Sequence, residues 1–177
     1  MMDKEQQRDH FLKLRKNIDK ERREEAKKSI LSILKPKLKQ SSAVLSYMPL
    51  RDEVDVSLIN ELLAARRALI LSRIEKHEMR LYSVGKIENS LIKGEFGFLE
   101  PDPRVCVFVE SCEVALIPAI AFDGNNNRIG WGHGHFDRFL KANPTIHKIG
   151  IGFREQLSPK VFSMDEHDVP MDELCLV

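Results

Sequence analysis

Short apolar runs that alternate with helix-like segments constrain the fold of this chain more than any other feature. The runs are AVLSY (43–47), ALILS (68–72), MRLY (79–82), VCVFV (105–109), VALIP (114–118) and KIGIGF (148–153). Several are apolar throughout, which is typical of strands that are covered on both faces of a sheet. The pattern predicts an α/β fold, a single-domain three-layer sandwich with a mostly parallel central sheet flanked by helices.

Three segments carry helix signals. Residues 3–39 are rich in Lys, Glu, Arg and Gln and lack Gly, which predicts one or two helices that end near Pro36. A second helix is predicted over 57–68, where four residues share one apolar stripe: Leu58, Ile59, Leu62 and Leu63. DRFLKA, which begins at Asp137, predicts the first turns of a third helical segment.

Composition is that of an ordinary globular protein. The chain has 177 residues, 42% hydrophobic and 31% charged, and a formal net charge of +1. Such a charge gives no overall attraction to nucleic acid or acidic membranes, so any positive site must be local. The charged N-terminus is unlike a signal peptide, and no run approaches the ~18 apolar residues of a membrane span. Three cysteines without a CxxC pair fit a reducing compartment. We therefore expect one domain over 1–177, cytoplasmic and monomeric, without nucleic-acid or membrane partners.

The stretch RIGWGHGHFDR (128–138) permits a metal interpretation. His133, His135 and Asp137 alternate along the chain as the ligands of some metal-dependent hydrolases do. Such a cluster needs further ligands, commonly another histidine soon afterwards, and here Arg138 follows instead. A metal-dependent hydrolase using these three residues is the weaker alternative.

The same stretch also fits a phosphate-binding loop. Gly130, Gly132 and Gly134 remove every second side chain, so that backbone N–H groups can approach an anion closely. The loop follows the apolar run VALIPAIAF and leads into a helix, a place where an open α/β sheet favours anionic oxygens. A plain glycine-rich hairpin remains a third interpretation.

Charged residues around this loop suit the same ligand. Arg128 and Arg138 carry guanidinium groups that can fork onto phosphate, and Asp137 can hold Mg²⁺. Near the N-terminus, four residues would fall within roughly 60° around a helix: Lys4, Arg8, Phe11 and Arg15. This stripe can bind a triphosphate, with the Phe11 ring touching the nucleotide base, or it can be an ordinary solvated helix face.

The order of motifs along the chain resembles the 5-formyltetrahydrofolate cyclo-ligase family. The motifs are KEQQR (4–8), YMPLRDEVD (47–55), GEFGFLEP (94–101), IPAIAFDGNNNRIGWGHGHFDRFL (117–140), IGIGFREQL (150–157) and DEHDVPMDEL (165–174). The resemblance implies ATP- and Mg²⁺-dependent conversion of 5-formyltetrahydrofolate to 5,10-methenyltetrahydrofolate, with release of ADP and phosphate. It also implies that ATP phosphorylates the formyl oxygen before N10 attacks.

The resemblance assigns roles to individual residues. Arg128 and Asp137 are implied to be catalytic, and Asp137 and Asp168 to hold Mg²⁺. The residues implied to contact the reduced folate are Met48, Glu53, Trp131 and His135. Those implied to contact ATP are Lys4, Arg8, Arg128, Ile129, Gly130, Trp131, Gly132, His133, Gly134, His135 and Phe136.

The chain departs from the family pattern inside the glycine loop. Family members commonly have GxGGGYYD where this chain has GWGHGHFD, so His135 and Phe136 replace two tyrosines. Asn127 stands where a glycine usually precedes Arg128. These departures motivate the alternative of a non-catalytic protein that binds nucleotide or folate on the same fold.

Overall fold

The computed structural model describes residues 3–94 and 97–177. Its four α-helices are α1 (Lys4–Lys16), α2 (Lys20–Lys37), α3 (Ser57–Ala65) and α4 (His135–Ala142). The strands are β1 (Val44–Ser46), β2 (Leu69–Glu75), β3 (Glu78–Ser83), β4 (Leu91–Lys93), β5 (Leu99–Pro101), β6 (Val107–Val109), β7 (Val114–Pro118), β8 (Ala121–Asp123), β9 (Arg128–Ile129), β10 (His147–Gly152), β11 (Leu157–Ser158) and β12 (Glu173–Leu176).

The main sheet has seven strands in the order β12-β10-β7-β1-β2-β3-β6. The first five run parallel, with Val44 of β1 beside Leu69 on one side and Val114 on the other. β3 and β6 add antiparallel strands at one edge. The mostly parallel sheet predicted from the apolar runs is therefore confirmed.

Helices cover both faces of this sheet. On one face, α2 and α3 pack Ile30, Leu34 and Ile59 against strand residues such as Leu116. On the other face, α4 packs Leu140 into a second cluster with the remaining strand side chains. The three-layer arrangement follows from the strands, since each sends alternate apolar side chains to opposite faces.

The N-terminal helices follow their capping residues. Asp3 accepts a hydrogen bond from the Gln6 N–H and completes a capping box at α1. Asp19 is the N-cap of α2 and accepts a hydrogen bond from the Arg22 N–H. Pro36 lies in the last turn of α2, as predicted. No helix among the described residues has the length and apolarity needed to cross a membrane.

One local prediction was wrong, and another was confirmed only in part. On α3 the buried residues are Ile59, Asn60, Leu63 and Ala64, whereas Leu62 is 41% exposed. The VCVFV run contains the predicted strand, β6, and Cys106 is buried, but β6 is a short edge strand in which Val107 is 68% exposed. An edge strand has one neighbour in its sheet, which leaves its outer side chains largely open to solvent.

The hairpin of β8 and β9 was missed from the sequence, and it sets where the glycine loop begins. Its turn is organised by the fully buried carboxylate of Asp123. This carboxylate accepts hydrogen bonds from the N–H groups of Asn125 and Asn127 and from the Asn127 amide, each at 2.9 Å, and from the Phe162 N–H at 2.8 Å. Asn127 therefore adds a side-chain hydrogen bond at the position where family members usually have glycine.

Candidate active site

A cavity of about 550 Å³ opens at the carboxyl ends of β1, β2 and β7. Every residue to which the resemblance assigns a role lies in its wall: Lys4, Arg8, Met48, Glu53, Arg128, Ile129, Gly130, Trp131, Gly132, His133, Gly134, His135, Phe136, Asp137 and Asp168. Arg138, which was also predicted to bind phosphate, does not line this cavity. These residues come from four distant parts of the chain. The carboxyl ends of parallel strands meet at one edge of a sheet, which brings these parts together.

The glycine loop over 130–134 adopts a backbone that favours glycine. Gly132 has φ +99° and Gly134 has φ +65°, values that side chains with a β-carbon rarely adopt. Gly134 is also the N-cap of α4 and makes no side-chain capping hydrogen bond. The first backbone N–H groups of α4 therefore face the cavity without a capping side chain from Gly134. Such uncapped N–H groups suit an anion.

Arg8 ties α1 to this loop. Its Nε donates to the Gly130 carbonyl at 2.9 Å. Its guanidinium carbon lies 3.6 Å from the point where a β-carbon on Gly132 would stand. The cation is thus held beside the loop backbone, with its remaining N–H groups near the cavity.

Arg128 and Asp137, which flank the loop in sequence, form a partly buried ion pair. Arg128 Nη2 donates to Asp137 Oδ1 at 2.7 Å, and the same oxygen accepts the Val169 N–H at 3.1 Å. Arg128 Nε is buried without a hydrogen-bond partner among the described residues. Burial lowers the pKa of Arg128 below its ordinary value, although Asp137 and Asp168 counteract that shift. The guanidinium also lies 5.8 Å from the centroid of the Phe136 ring.

Lys4 lies between two carboxylates of the 165–168 turn. Its Nζ donates to Asp165 and to Asp168, each at 2.6 Å. Burial by itself lowers the pKa of Lys4, but both hydrogen bonds and both charges outweigh it, and the pKa is raised. Asp165 was not singled out from the sequence, because nothing in the acidic run DEHD distinguishes one carboxylate from the next.

The histidines of the loop do not form a metal cluster with Asp137. In the described part of the chain, no group of three or more His, Cys, Asp or Glu residues is placed to hold a metal ion. The rings of His133 and His135 stack at 5.7 Å, and His135 Nδ1 accepts a hydrogen bond from Arg138 Nη2 at 3.0 Å. The hydrolase interpretation therefore lacks its ligand set. A Mg²⁺ ion shared with substrate phosphates needs only one or two carboxylates.

A further carboxylate in the cavity wall, that of Glu53, is buried. Glu53 is 8% exposed, and its Oε2 accepts the Leu50 N–H at 3.0 Å. Burial raises the pKa of Glu53, against the opposing effects of the Leu50 N–H and of Arg15. Nearby, Asn60 donates to the Tyr47 carbonyl at 2.9 Å, which fixes the backbone beside Met48.

The N-terminal stripe is only half available to a ligand. Lys4 and Arg8 reach the cavity, as predicted, but Phe11 and Arg15 are buried. Phe11 packs edge-on against Phe162 at 6.5 Å, so its ring is not free to contact a base. The prediction was wrong at these two positions because the inner face of α1 packs on the protein.

The hairpin of β4 and β5 contributes a wall that sequence reasoning did not assign to individual residues. Phe98, Leu99 and Glu100 line the cavity, and Phe98 is 49% exposed. The motif GEFGFLEP contained the signal. The spacing of its apolar residues did not show which side chains would face the cavity. Glu95 and Phe96 of this motif lie outside the described residues.

A family model matches this chain along its whole length, and curated relatives match parts of it. The model of the 5-formyltetrahydrofolate cyclo-ligase family matches residues 1–177. A probable 5-formyltetrahydrofolate cyclo-ligase of Schizosaccharomyces pombe is 28% identical over 115 residues, which are 57% of this chain and 56% of that protein. The 5-formyltetrahydrofolate cyclo-ligase of Mycolicibacterium smegmatis is 31% identical over 136 residues, which are 72% of this chain and 70% of that protein. The match thus spans little more than half of the yeast relative.

Solved structures share the fold. The 5,10-methenyltetrahydrofolate synthetase of Aquifex aeolicus has a TM-score of 0.84 and 32% identity, over 98% of this chain and 89% of that chain. A 5,10-methenyltetrahydrofolate synthetase of Mycoplasma pneumoniae has a TM-score of 0.74 and 22% identity, over 98% of both chains, and supports the fold alone. The family match over the whole chain, together with the Aquifex structure, shows that this protein belongs to the 5-formyltetrahydrofolate cyclo-ligase family.

Proposed function

We propose that this protein cyclises 5-formyltetrahydrofolate to 5,10-methenyltetrahydrofolate, with conversion of ATP to ADP and phosphate. One observation carries the proposal: a single cavity joins a glycine loop with three nearby cations to a buried carboxylate and exposed aromatic rings. The glycine loop and its cations suit phosphate, and the buried carboxylate and aromatic rings suit a reduced pterin ring. Family membership supports the same reaction.

The reaction needs activation of a poor leaving group. The formyl oxygen attacks the γ-phosphorus of ATP, and the bond between that phosphorus and the ADP oxygen breaks. N10 then forms a bond to the formyl carbon and loses its proton, while the carbon–oxygen bond breaks and phosphate leaves. Phosphoryl transfer depends mainly on positioning and on compensation of charge.

At the nucleotide end, Lys4, Arg8 and Arg128 neutralise phosphate charge in this proposal. The backbone of the glycine loop and the N-terminus of α4 bind phosphate oxygens. Asp137 and Asp168 are the carboxylates that would hold Mg²⁺, which supplies further charge compensation when bound. Lys4 bonds Asp165 and Asp168, and we propose that it turns towards phosphate when ATP binds.

At the folate end, Glu53 accepts hydrogen bonds from the N–H groups of the pterin ring, and Met48 packs beside it. Trp131, which is 52% exposed, offers a flat surface at the cavity mouth. His135 stands in the place of a family tyrosine. Because Arg138 donates to its Nδ1, its other ring nitrogen carries the proton, and burial together with Arg138 lowers the pKa of His135.

Absorbance of methenyl-folate tests the proposal directly. Purified protein is mixed with 5-formyltetrahydrofolate, ATP and Mg²⁺, and ADP release is followed in parallel. We expect growth of the methenyl-folate band with equimolar ADP, and loss of both when ATP is omitted. Asp9→Asn, at an exposed position outside the cavity, is the matched control and should keep the wild-type rate.

The alternative is a protein that binds folate and nucleotide without turnover. The same protein and substrates distinguish it from an enzyme. It is favoured by the replacement of two tyrosines by His135 and Phe136 in the loop. Calorimetry that shows folate and ATP binding in folded protein, with no ADP and no methenyl-folate formed, would overturn the catalytic proposal in its favour.

A further inference from the structure

Arg15 is the largest fully buried side chain of this protein, and it belongs to none of the substrate contacts described above. It lies on α1, seven residues after Arg8, and its side chain has 0% exposure. Burying a guanidinium is costly unless its donors are satisfied, so its partners identify what the fold gains from it.

The partners of Arg15 come from three segments around the folate end. Nε and Nη2 both donate to Asp52 Oδ2, at 3.0 and 2.8 Å. Nη1 donates to the Ala119 carbonyl at 3.1 Å and lies 3.9 Å from Glu53 Oε1. The guanidinium carbon is 5.7 Å from the centroid of the Trp131 ring, within the range of a cation–π contact.

These contacts converge on two surfaces of the cavity. Asp52 is the neighbour of Glu53, so a fork onto Asp52 fixes the backbone from which Glu53 extends. Trp131 belongs to the glycine loop, and its ring lies over the Arg15 guanidinium. That guanidinium is itself hydrogen-bonded to Asp52 and Ala119. A single rigid, planar group thus sets the distance between the buried carboxylate and the exposed ring.

We propose that Arg15 is a positioning residue for the folate, which holds the Glu53 carboxylate and the Trp131 ring in one fixed geometry. The inference rests on the proposed function for the identity of the ligand. Lysine cannot replace Arg15 fully, because an ammonium lacks the planar fork that bonds Asp52 and Ala119 while lying against a ring.

Trp131 is the single tryptophan of the chain, so its fluorescence reports on this geometry alone. The test compares Arg15→Gln, Arg15→Lys and Asp52→Asn with Arg22→Gln. Arg22 is a matched control on α2: it bonds Glu155 and the Val177 carbonyl and lies outside the cavity wall. Urea unfolding establishes that each variant is folded before it is assayed.

We expect Arg15→Gln to shift the Trp131 emission in the ligand-free protein. The KM for 5-formyltetrahydrofolate should rise about tenfold, and the KM for ATP should change by less than about twofold. Arg15→Lys and Asp52→Asn should move the same readouts by a smaller amount, and Arg22→Gln should move none. If Arg15→Gln does not fold, Arg15→Lys and Asp52→Asn carry the test.

Folded Arg15 variants with wild-type emission and wild-type folate KM would overturn the inference. An equal loss for folate and ATP, in step with the loss of stability, would reduce Arg15 to a structural role and overturn it too. If the wild-type protein shows no turnover, titration of Trp131 fluorescence with 5-formyltetrahydrofolate replaces KM. In that case the proposed reaction fails, while weaker folate binding by the Arg15 variants still supports the positioning role.

Discussion

The ion pair of Arg128 and Asp137 allows stability and catalysis to be separated. Asp137→Asn removes the carboxylate charge but keeps an oxygen that can accept from Arg128 and from the Val169 N–H. Arg128 has 5% exposure and Asp137 18%, with their atoms 2.7 Å apart. The variant leaves a buried guanidinium without its anion.

The expected magnitude follows from that burial. Breaking a fully buried pair by removing one partner costs about 3–5 kcal/mol. Asp137 keeps some contact with water and asparagine keeps an acceptor, so we expect the free energy of unfolding to fall by about 2 kcal/mol. Adding Arg128→Met to Asp137→Asn removes the stranded charge. The free energy of unfolding of the double variant should therefore fall by about 1.5 kcal/mol less than the sum of the falls caused by the two single substitutions.

Activity should behave differently from stability. Urea unfolding measures all four members of the cycle, and methenyl-folate absorbance at 25 °C measures their turnover. Asp137→Asn should lower turnover about 100-fold, and the double variant should stay inactive even where its stability recovers. Additive stabilities would refute the coupling of the pair, and wild-type turnover in Asp137→Asn would refute the role of Asp137.

Two further predictions test the fold. Gly150→Ala should lower the free energy of unfolding by about 1–3 kcal/mol, because its β-carbon would stand 2.5 Å from Phe122 Cε1; Gly85→Ala, with no atom within 4 Å, is the control, and equal urea midpoints for the two would contradict the steric argument. Burial tends to raise the pKa of Asp55, but hydrogen bonds from Lys27 and Ser57 lower it below its ordinary 3.8. The ion pair with Lys27 thus stabilises the protein above that pH and is lost as the pH falls through the lowered pKa. Lys27→Met should lower stability by less than about 1 kcal/mol at pH 7, and this loss should shrink as the pH falls below 3.8 and through the lowered pKa of Asp55; a loss that stays constant with falling pH would exclude this origin.

The glycine loop was predictable because its chemistry is local. Glycines such as Gly132 and Gly134 indicate positions where the backbone can be left-handed. A strand followed by such a loop and a helix predicts an anion site. The ordered motifs extended this to residues far apart in the chain, such as Lys4, Glu53 and Asp168. All of them line one cavity, although their individual roles remain predictions.

Other features depended on neighbours that no local pattern reveals. VCVFV has the composition of a buried strand, yet β6 lies at the edge of the sheet and Val107 is mostly exposed. The stripe on α1 was visible, but periodicity does not say whether a stripe faces solvent, ligand or core. Phe11 and Arg15 therefore lie inside the protein rather than against ATP.

The sequence by itself determined the class of fold and predicted a phosphate-binding loop, because apolar period and glycine conformation act over a few residues. Only the tertiary structure decided which charges are paired. Asp52 bonds Arg15, Asp137 bonds Arg128, and Lys4 bonds Asp168, at separations of 37, 9 and 164 residues. Electrostatic pairing depends on distance in space and on burial, and the packing of helices on the sheet sets both.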